Sequence, residues 1–217
     1  KVAKPVGVVS AVTPTTNPVV TPMCNAMFAL KGGNAIICAP HPRSKNVSSK
    51  TIDLMNQEIR KLGGPENLIQ CISEPSLERT QELMRTCDVL VATGGPAMVQ
   101  AAYSSGKPSF GVGPGNVQVI IDTDVDADET AEKVITGRAF DNGIICSGEQ
   151  SVIAHKDQYQ AVIESFITKG AYYIEDQEIA DKLRAVLFVD GHINGEVVGQ
   201  SVQTIAKMAG IEVLEGS

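Results

Sequence analysis

The 217-residue sequence has no tryptophan, few other aromatics (five Phe, four Tyr), no Cys-x-x-Cys pair, no basic tract and no long apolar run. Each gap removes a class of protein. No apolar stretch reaches the roughly 18 residues that a membrane-spanning helix needs, so none is expected in this sequence. Acidic residues outnumber basic ones 25 to 18, for a formal charge of −7. The one basic cluster, residues 41–50, is short and diluted by serines, so nucleic acid is not an expected partner. Cysteines stand at 24, 38, 71, 87 and 146, an odd set without metal-ligand spacing, and the histidines at 41, 155 and 192 are scattered. Neither a disulfide framework nor a zinc site is expected, and a reducing cytoplasm is the default. The acidic run 122–129 lacks the glycine and closing glutamate of a calcium loop and reads as a solvated helix N-terminus. The fingerprint G-x-G-x-x-G is missing too: Gly111-Val112-Gly113 is followed by Asn116 where the third glycine would stand. No secretory signal stretch precedes the first strand-like run. The sequence starts without Met and stops just after a strand-like run at 211–214, so both ends read as cuts inside a larger protein.

What remains is an ordinary globular composition, 43% hydrophobic and 20% charged, with 20 glycines that suit a turn-rich α/β chain whose backbone approaches ligands closely. Short β-branched apolar runs at 6–12, 34–39, 68–72, 89–92 and 109–112 read as strands. Between them, residues 17–31, opened by Asn17-Pro18 and stopped by Gly32-Gly33, read as a helix, as do 46–62, 76–85 and 95–105. That alternation predicts βαβ units and a doubly wound, Rossmann-like parallel sheet. After the glycine turn at 113–116 the pattern restarts. A strand at 117–121, a helix at 126–140, a turn-rich segment at 141–149 and a strand at 151–154 come first. A helix at 157–169, a segment at 176–186 and a helix at 197–209 follow. Two domains are therefore expected, 1–116 and 117–217.

Two places carry candidate chemistry. Thr93-Gly94-Gly95-Pro96 joins a strand to a helix opened by proline, so free amides and the helix dipole would suit a phosphate. The same residues also read as a tight turn with no ligand. Cys146 lies in a glycine-containing loop with small polar neighbours, whereas Cys24, Cys38, Cys71 and Cys87 fall in apolar helix or strand patterns, where cysteine packs as an inert residue. A loop thiol near helix amides can act as a nucleophile, and a structural role remains the alternative.

Taken together, Phe140-Asp-Asn-Gly-Ile-Ile-Cys146, Thr13-Pro-Thr-Thr-Asn17-Pro18, Pro40-His-Pro-Arg43, Thr93-Gly-Gly95 and Gly111-Val-Gly-Pro-Gly-Asn116 resemble the CoA-acylating branch of the aldehyde dehydrogenase superfamily. The match is in order along the whole chain, and looks nearest to the aldehyde dehydrogenase half of bifunctional aldehyde–alcohol dehydrogenases. It implies an aldehyde dehydrogenase fold, with a partial cofactor domain and part of an α/β catalytic domain. It makes Cys146 the nucleophile that adds to an aldehyde, and Asn17, with the Cys146 amide, the oxyanion hole. Asn17 also reads as a plain helix N-cap. Thr13, Pro14, Thr15, His41, Pro42, Arg43, Thr93, Gly94, Gly95, Gly111 and Val112 fall at cofactor-binding positions. Arg43 could meet a 2′-phosphate or be a solvated charge, so the cofactor is NAD with NADP as the alternative. Phe140 is expected to fill a gap behind the nucleophile loop; His155 and His192 are given no role.

Gly111 stands where hydrolytic members carry a glutamate base, which points to coenzyme A rather than water as acyl acceptor. A glycine demanded by crowding is the plainer reading of the same residue. The expected activity converts a short aldehyde, acetaldehyde at the base rate, with CoA and NAD(P) to acyl-CoA. Sulfoacetaldehyde, propionaldehyde and succinate semialdehyde are alternatives. A hydrolytic aldehyde or semialdehyde dehydrogenase that releases a free acid, and a truncated assembly piece without activity, are the rival readings. No metal or membrane is expected; the resemblance implies a homo-oligomer at full length, in the cytoplasm or a bacterial microcompartment.

Overall fold

β1 (Val8–Thr13) is a six-residue run in which every residue but the first is buried, the pattern of a parallel strand covered on both faces. The computed structural model describes residues 2–213, and the chain divides between Pro114 and Gly115 into two compact units.

In the first unit β1 is flanked by β2 (Ala35–Pro40) and β4 (Val89–Thr93), and the edges are β3 (Ile69–Cys71) and β5 (Ser109–Val112). All pairings are parallel, in the order β3-β2-β1-β4-β5. Because side chains alternate along a strand, each strand feeds two cores. Val9, Ala11, Ile36, Cys38 and Ile69 pack with α1 (Val20–Lys31) and α2 (Lys45–Lys61). Val12, Ala39, Leu90 and Ala92 pack with α3 (Leu77–Thr86) and α4 (Pro96–Tyr103). Ile36, Ile52, Ile69 and Leu90 are almost wholly buried, each contributing on the order of 1.5–3 kcal/mol through apolar burial. This is the doubly wound sheet that the alternation predicts.

The second unit holds a parallel pair, β6 (Val117–Ile121) and β7 (Glu149–Ala154). Its helices are α5 (Ala127–Ala139), α6 (Tyr159–Thr168), α7 (Gln177–Leu187) and α8 (Val202–Ala209). Side-chain caps fix four of the eight α-helix starts among the described residues. Ser76 accepts from the Arg79 amide at 3.2 Å, Asp126 from Glu129 at 2.8 Å, Asp176 from Glu178 at 2.7 Å and Ser201 from Thr204 at 3.2 Å. The acidic run 122–129 thus ends in a capped, solvated helix start.

Four expectations need correcting. Asn17 does not cap α1: the cap position is Val19, and Asn17 contributes only its carbonyl, which accepts from the Thr21 amide at 3.3 Å. The last helix starts at Val202 rather than 197, because Gly199 adopts φ +76° and holds 197–200 in turns. Residues 211–213 form no strand, and Leu214 lies outside the described residues. An antiparallel hairpin, β8 (Phe188–Val189) with β9 (His192–Ile193), was not expected. Asp190 (φ 50°) and Gly191 (φ 76°) form its two-residue turn, and Asp-Gly is a strong sequence signal for such a turn.

Candidate active site

In a doubly wound sheet, ligands bind beyond the carboxyl ends of the strands where the strand order reverses. Here that point lies between β1 and β4. Thr13 closes β1, and Pro14 and Thr15 follow it. Thr93 closes β4, and Gly94 and Gly95 lead into α4 with Pro96 as its first residue. His41, Pro42 and Arg43 follow β2, and Gly111 and Val112 end β5. All the expected cofactor residues thus sit at the carboxyl ends of four adjacent strands.

Local bonding explains how they are held. The His41 amide donates to Thr13 O at 3.1 Å, tying the end of β2 to β1. His41 Nδ1 accepts from the Arg43 amide at 3.2 Å, so in the neutral ring the proton sits on Nε2. Burial, and then the Arg43 charge, hold His41 below its ordinary pKa. The Gly94 amide donates to Val112 O at 3.0 Å, joining β4 to β5. Lys45 pairs with Glu74 at 2.7 Å, and that hydrogen bond, with the lysine charge, holds the Glu74 carboxyl below the usual range.

A dinucleotide fits this end of the sheet. Thr13 is buried, and its Oγ1 has no hydrogen-bond partner among the described residues. A Cβ added to Gly95 would meet nothing within 4 Å, so the turn borders open space. At the start of α4 the Met98 and Val99 amides donate to Gly95 O at 3.0 and 3.1 Å and Pro96 has no amide, so the Ala97 amide is the one without an acceptor among the described residues.

Gly111 has a packing reason to be glycine. A Cβ there would lie 2.6 Å from Val99 Cγ1 and 2.9 Å from Tyr103 Cε2, both on α4. Its amide also donates to the Tyr103 hydroxyl at 3.1 Å. Val99 and Tyr103 were invisible to motif reading, because nothing in a linear pattern says which helix residues lie over a strand.

In the second unit, Cys146 is exposed on the loop between α5 and β7. The other thiols sit apart from such chemistry. Burial pushes Cys38 up to about 12, and burial likewise raises Cys71 and Cys87; Cys24 is half-buried on α1. The Cys146 loop starts with Asp141, Asn142 and Gly143 at φ 51°, 53° and 69°, three consecutive left-handed residues. Such a run is uncommon for non-glycine residues and turns the chain sharply. Asn142 Nδ2 donates to Gly199 O at 3.0 Å. The Ile144 amide donates to Asp141 O and the Gly148 amide to Ile145 O, both at 3.2 Å. A Cβ on Gly115 would lie 3.2 Å from the Cys146 carbonyl oxygen, so Gly115 lies close to the loop. Phe140 is 63% exposed and fills no gap behind it, contrary to expectation. Asn17 belongs to the first unit, and its carboxamide makes no hydrogen bond among the described residues. His155 and His192 are exposed.

Among the described residues no three His, Cys, Asp or Glu side chains gather as metal ligands. No helix there is long and apolar enough to cross a membrane.

Comparison with known proteins adds an independent line. A model described as the aldehyde dehydrogenase family matches residues 1–182. The chain is 58% identical over 216 residues to the succinate-semialdehyde dehydrogenase (acetylating) of Clostridium kluyveri, covering 100% of this chain and 48% of that protein. It is 47% identical over 213 residues to an aldehyde-alcohol dehydrogenase of Clostridium acetobutylicum, covering 98% of this chain and 25% of that one. The solved propionaldehyde dehydrogenase of Rhodopseudomonas palustris with bound propionyl-CoA matches with a TM-score of 0.90 at 37% identity, covering 98% of this chain and 48% of that chain. The chain therefore spans about half the length of the first of these relatives and a quarter of the second.

Proposed function

The chain belongs to the aldehyde dehydrogenase family, and on that footing we propose that the protein is a CoA-acylating aldehyde dehydrogenase. It takes a short aldehyde, CoA and a nicotinamide dinucleotide to acyl-CoA and reduced cofactor. The observation that carries this reading is Cys146, an exposed thiol on a sharply turned loop, in a chain whose other cysteines are buried or half-buried.

Cys146 Sγ attacks the aldehyde carbon and forms a hemithioacetal. The carbonyl oxygen becomes an alkoxide, which takes a hydrogen bond from the Cys146 amide. A nicotinamide held at the carboxyl ends of the strands would supply a hydride acceptor, and loss of hydride from the hemithioacetal leaves a thioester on Cys146. The sulfur of CoA then attacks the thioester carbon, the bond to Cys146 breaks, and acyl-CoA leaves. The turn Thr93-Gly94-Gly95 and the start of α4 serve the cofactor pyrophosphate, with Thr13, Pro14 and Thr15 beside it. His41, Pro42 and Arg43 serve the adenosine ribose. Arg43 follows the end of β2, and Glu74, which follows the end of β3, is paired with Lys45. NADP, whose 2′-phosphate a free acid would repel, should therefore be accepted alongside NAD.

Gly111 supports CoA as acceptor, because glycine cannot act as a base toward water. A positioned base typically contributes about 10²–10⁴-fold, whereas the CoA thiolate is a strong nucleophile unaided. Succinate semialdehyde heads the substrates to try, given the 58% identity to the acetylating enzyme named for it, with acetaldehyde and propionaldehyde next. In the full-length protein, Cys146→Ala should abolish aldehyde-dependent reduction of the cofactor while leaving cofactor binding intact. Substantial turnover in that variant would overturn the assignment.

A further inference from the structure

Arg138 is the next-to-last residue of α5, and its guanidinium turns toward the loop that carries Cys146. A Cβ on Gly143 would lie 3.3 Å from both Cζ and Nη2 of Arg138, and one on Gly148 would lie 3.4 Å from Nη1. These glycines stand on either side of Cys146. One planar group therefore lies against both glycines, beside backbone that crowds the same positions: Arg138 O at 3.2 Å from a Cβ on Gly143 and Ile145 O at 3.4 Å from one on Gly148. Among the described residues the guanidinium makes no ion pair and no hydrogen bond. The α5 ion pairs use other side chains, Lys133 with Glu129 and Glu132 with Lys169.

The neighbouring residue strengthens the pattern. Glu149, just past the loop, lays its carboxylate against Gly137, where a Cβ would collide with Oε2. That oxygen is buried and has no hydrogen-bond partner among the described residues. Arg138 is exposed and pairs with no carboxylate among the described residues. The last turn of α5 thus receives both ends of the loop, Gly137 through Glu149 and Arg138 through Gly143 and Gly148.

We propose that Arg138 is a positioning residue for Cys146: its rigid, planar guanidinium is the former around which residues 143–148 fold, so it fixes where the nucleophilic sulfur stands. The proposal rests on Cys146 being the nucleophile. Guanidinium suits the task because it is flat, always charged and pre-organised, and can face two peptide groups at once. Lysine, a point charge on a flexible stem, cannot span both glycines.

The test uses the full-length protein with Arg138→Ala, Arg138→Lys and Cys146→Ala. Displacing a reacting group by about 1 Å can cost on the order of 10²-fold in rate, so Arg138→Ala should lose about 10–100-fold in kcat. Its KM for aldehyde should change little, and alkylation of Cys146 by iodoacetamide should slow. Millimolar guanidinium ion should restore part of the Arg138→Ala rate and none of the Cys146→Ala rate. Arg138→Lys, which keeps stem and charge, should fold and fall between wild type and Arg138→Ala. A raised KM with kcat intact would make Arg138 a ligand for an anionic group and overturn the proposal. So would wild-type kcat in Arg138→Ala, or a loss that guanidinium does not restore. If Arg138→Ala fails to fold, wild-type kcat in Arg138→Lys overturns it on its own. Turnover surviving in Cys146→Ala would instead sink the underlying assignment, which keeps the two failures apart.

Discussion

Single residues separate by burial and crowding more than by type. Five cysteines share one chemistry, yet Cys38 lies in the core with its thiol pushed up to about 12, and Cys146 is exposed on a loop. Brief iodoacetamide treatment of the native protein followed by peptide mass analysis should therefore find label on Cys146. Cys38 labelling should not climb as pH passes about 8.5, where ordinary thiols ionise, because a raised pKa keeps it protonated; such a climb would contradict its burial. Gly111 shows the opposite case, a residue whose neighbours decide its identity. Any side chain there meets Val99 and Tyr103, so Gly111→Ala should destabilise by about 1–3 kcal/mol through overpacking. Gly111→Glu should not create a hydrolytic enzyme. A denaturant midpoint unchanged by Gly111→Ala would show that α4 yields more easily than its packing suggests. The candidate nucleophile was legible because its loop setting differs from apolar patterns in the sequence. Arg138 and Glu149 were not, since their contacts depend on how the loop folds back over α5.

Secondary-structure elements were legible where local chemistry fixes them. β5 (Ser109–Val112) and β6 (Val117–Ile121) lie at the expected residues, separated by the Gly113-Pro114-Gly115-Asn116 turn. Ser76 caps α3 as the pattern predicts, and Ser76→Ala should cost about 1 kcal/mol, read from the shift in thermal midpoint; no shift would mean the cap is redundant. Asn17 misled because it has the right chemistry for a cap in the wrong geometry: the chain needs two more residues after β1 before α1 can start. The Asp190-Gly191 hairpin was readable and passed over, masked by flanking strands of two residues each. Gly137, alone inside a helix, also carried an unread meaning. Replacing a helical glycine with alanine ordinarily stabilises by about 1 kcal/mol. Gly137→Ala should instead displace the Glu149 carboxylate and lower kcat in the full-length protein. A stabilised and fully active Gly137→Ala would contradict the role given to that notch.

At the scale of the whole molecule, the parallel sheet with helices on two faces followed from the alternation of apolar runs, and the strand order put the cofactor motifs at one end of it. The substrate did not follow. Its pocket depends on side chains that the patterning of strands and helices does not specify, and the chain spans 48% of the acetylating relative. The second unit exposes Ile120 at 76% and Ile153 at 51% on its two strands, an apolar surface that invites association. These 217 residues expressed alone should therefore give little or no turnover and tend to aggregate; full specific activity as a monomer would contradict that expectation. The central claim is that the acyl group leaves Cys146 for CoA. Its most direct test is to assay the full-length protein with aldehyde and oxidised cofactor, with and without CoA, following reduced cofactor and identifying the product. Steady turnover that needs CoA and yields acyl-CoA is the predicted result, and an unchanged rate without CoA, yielding free acid, would contradict it.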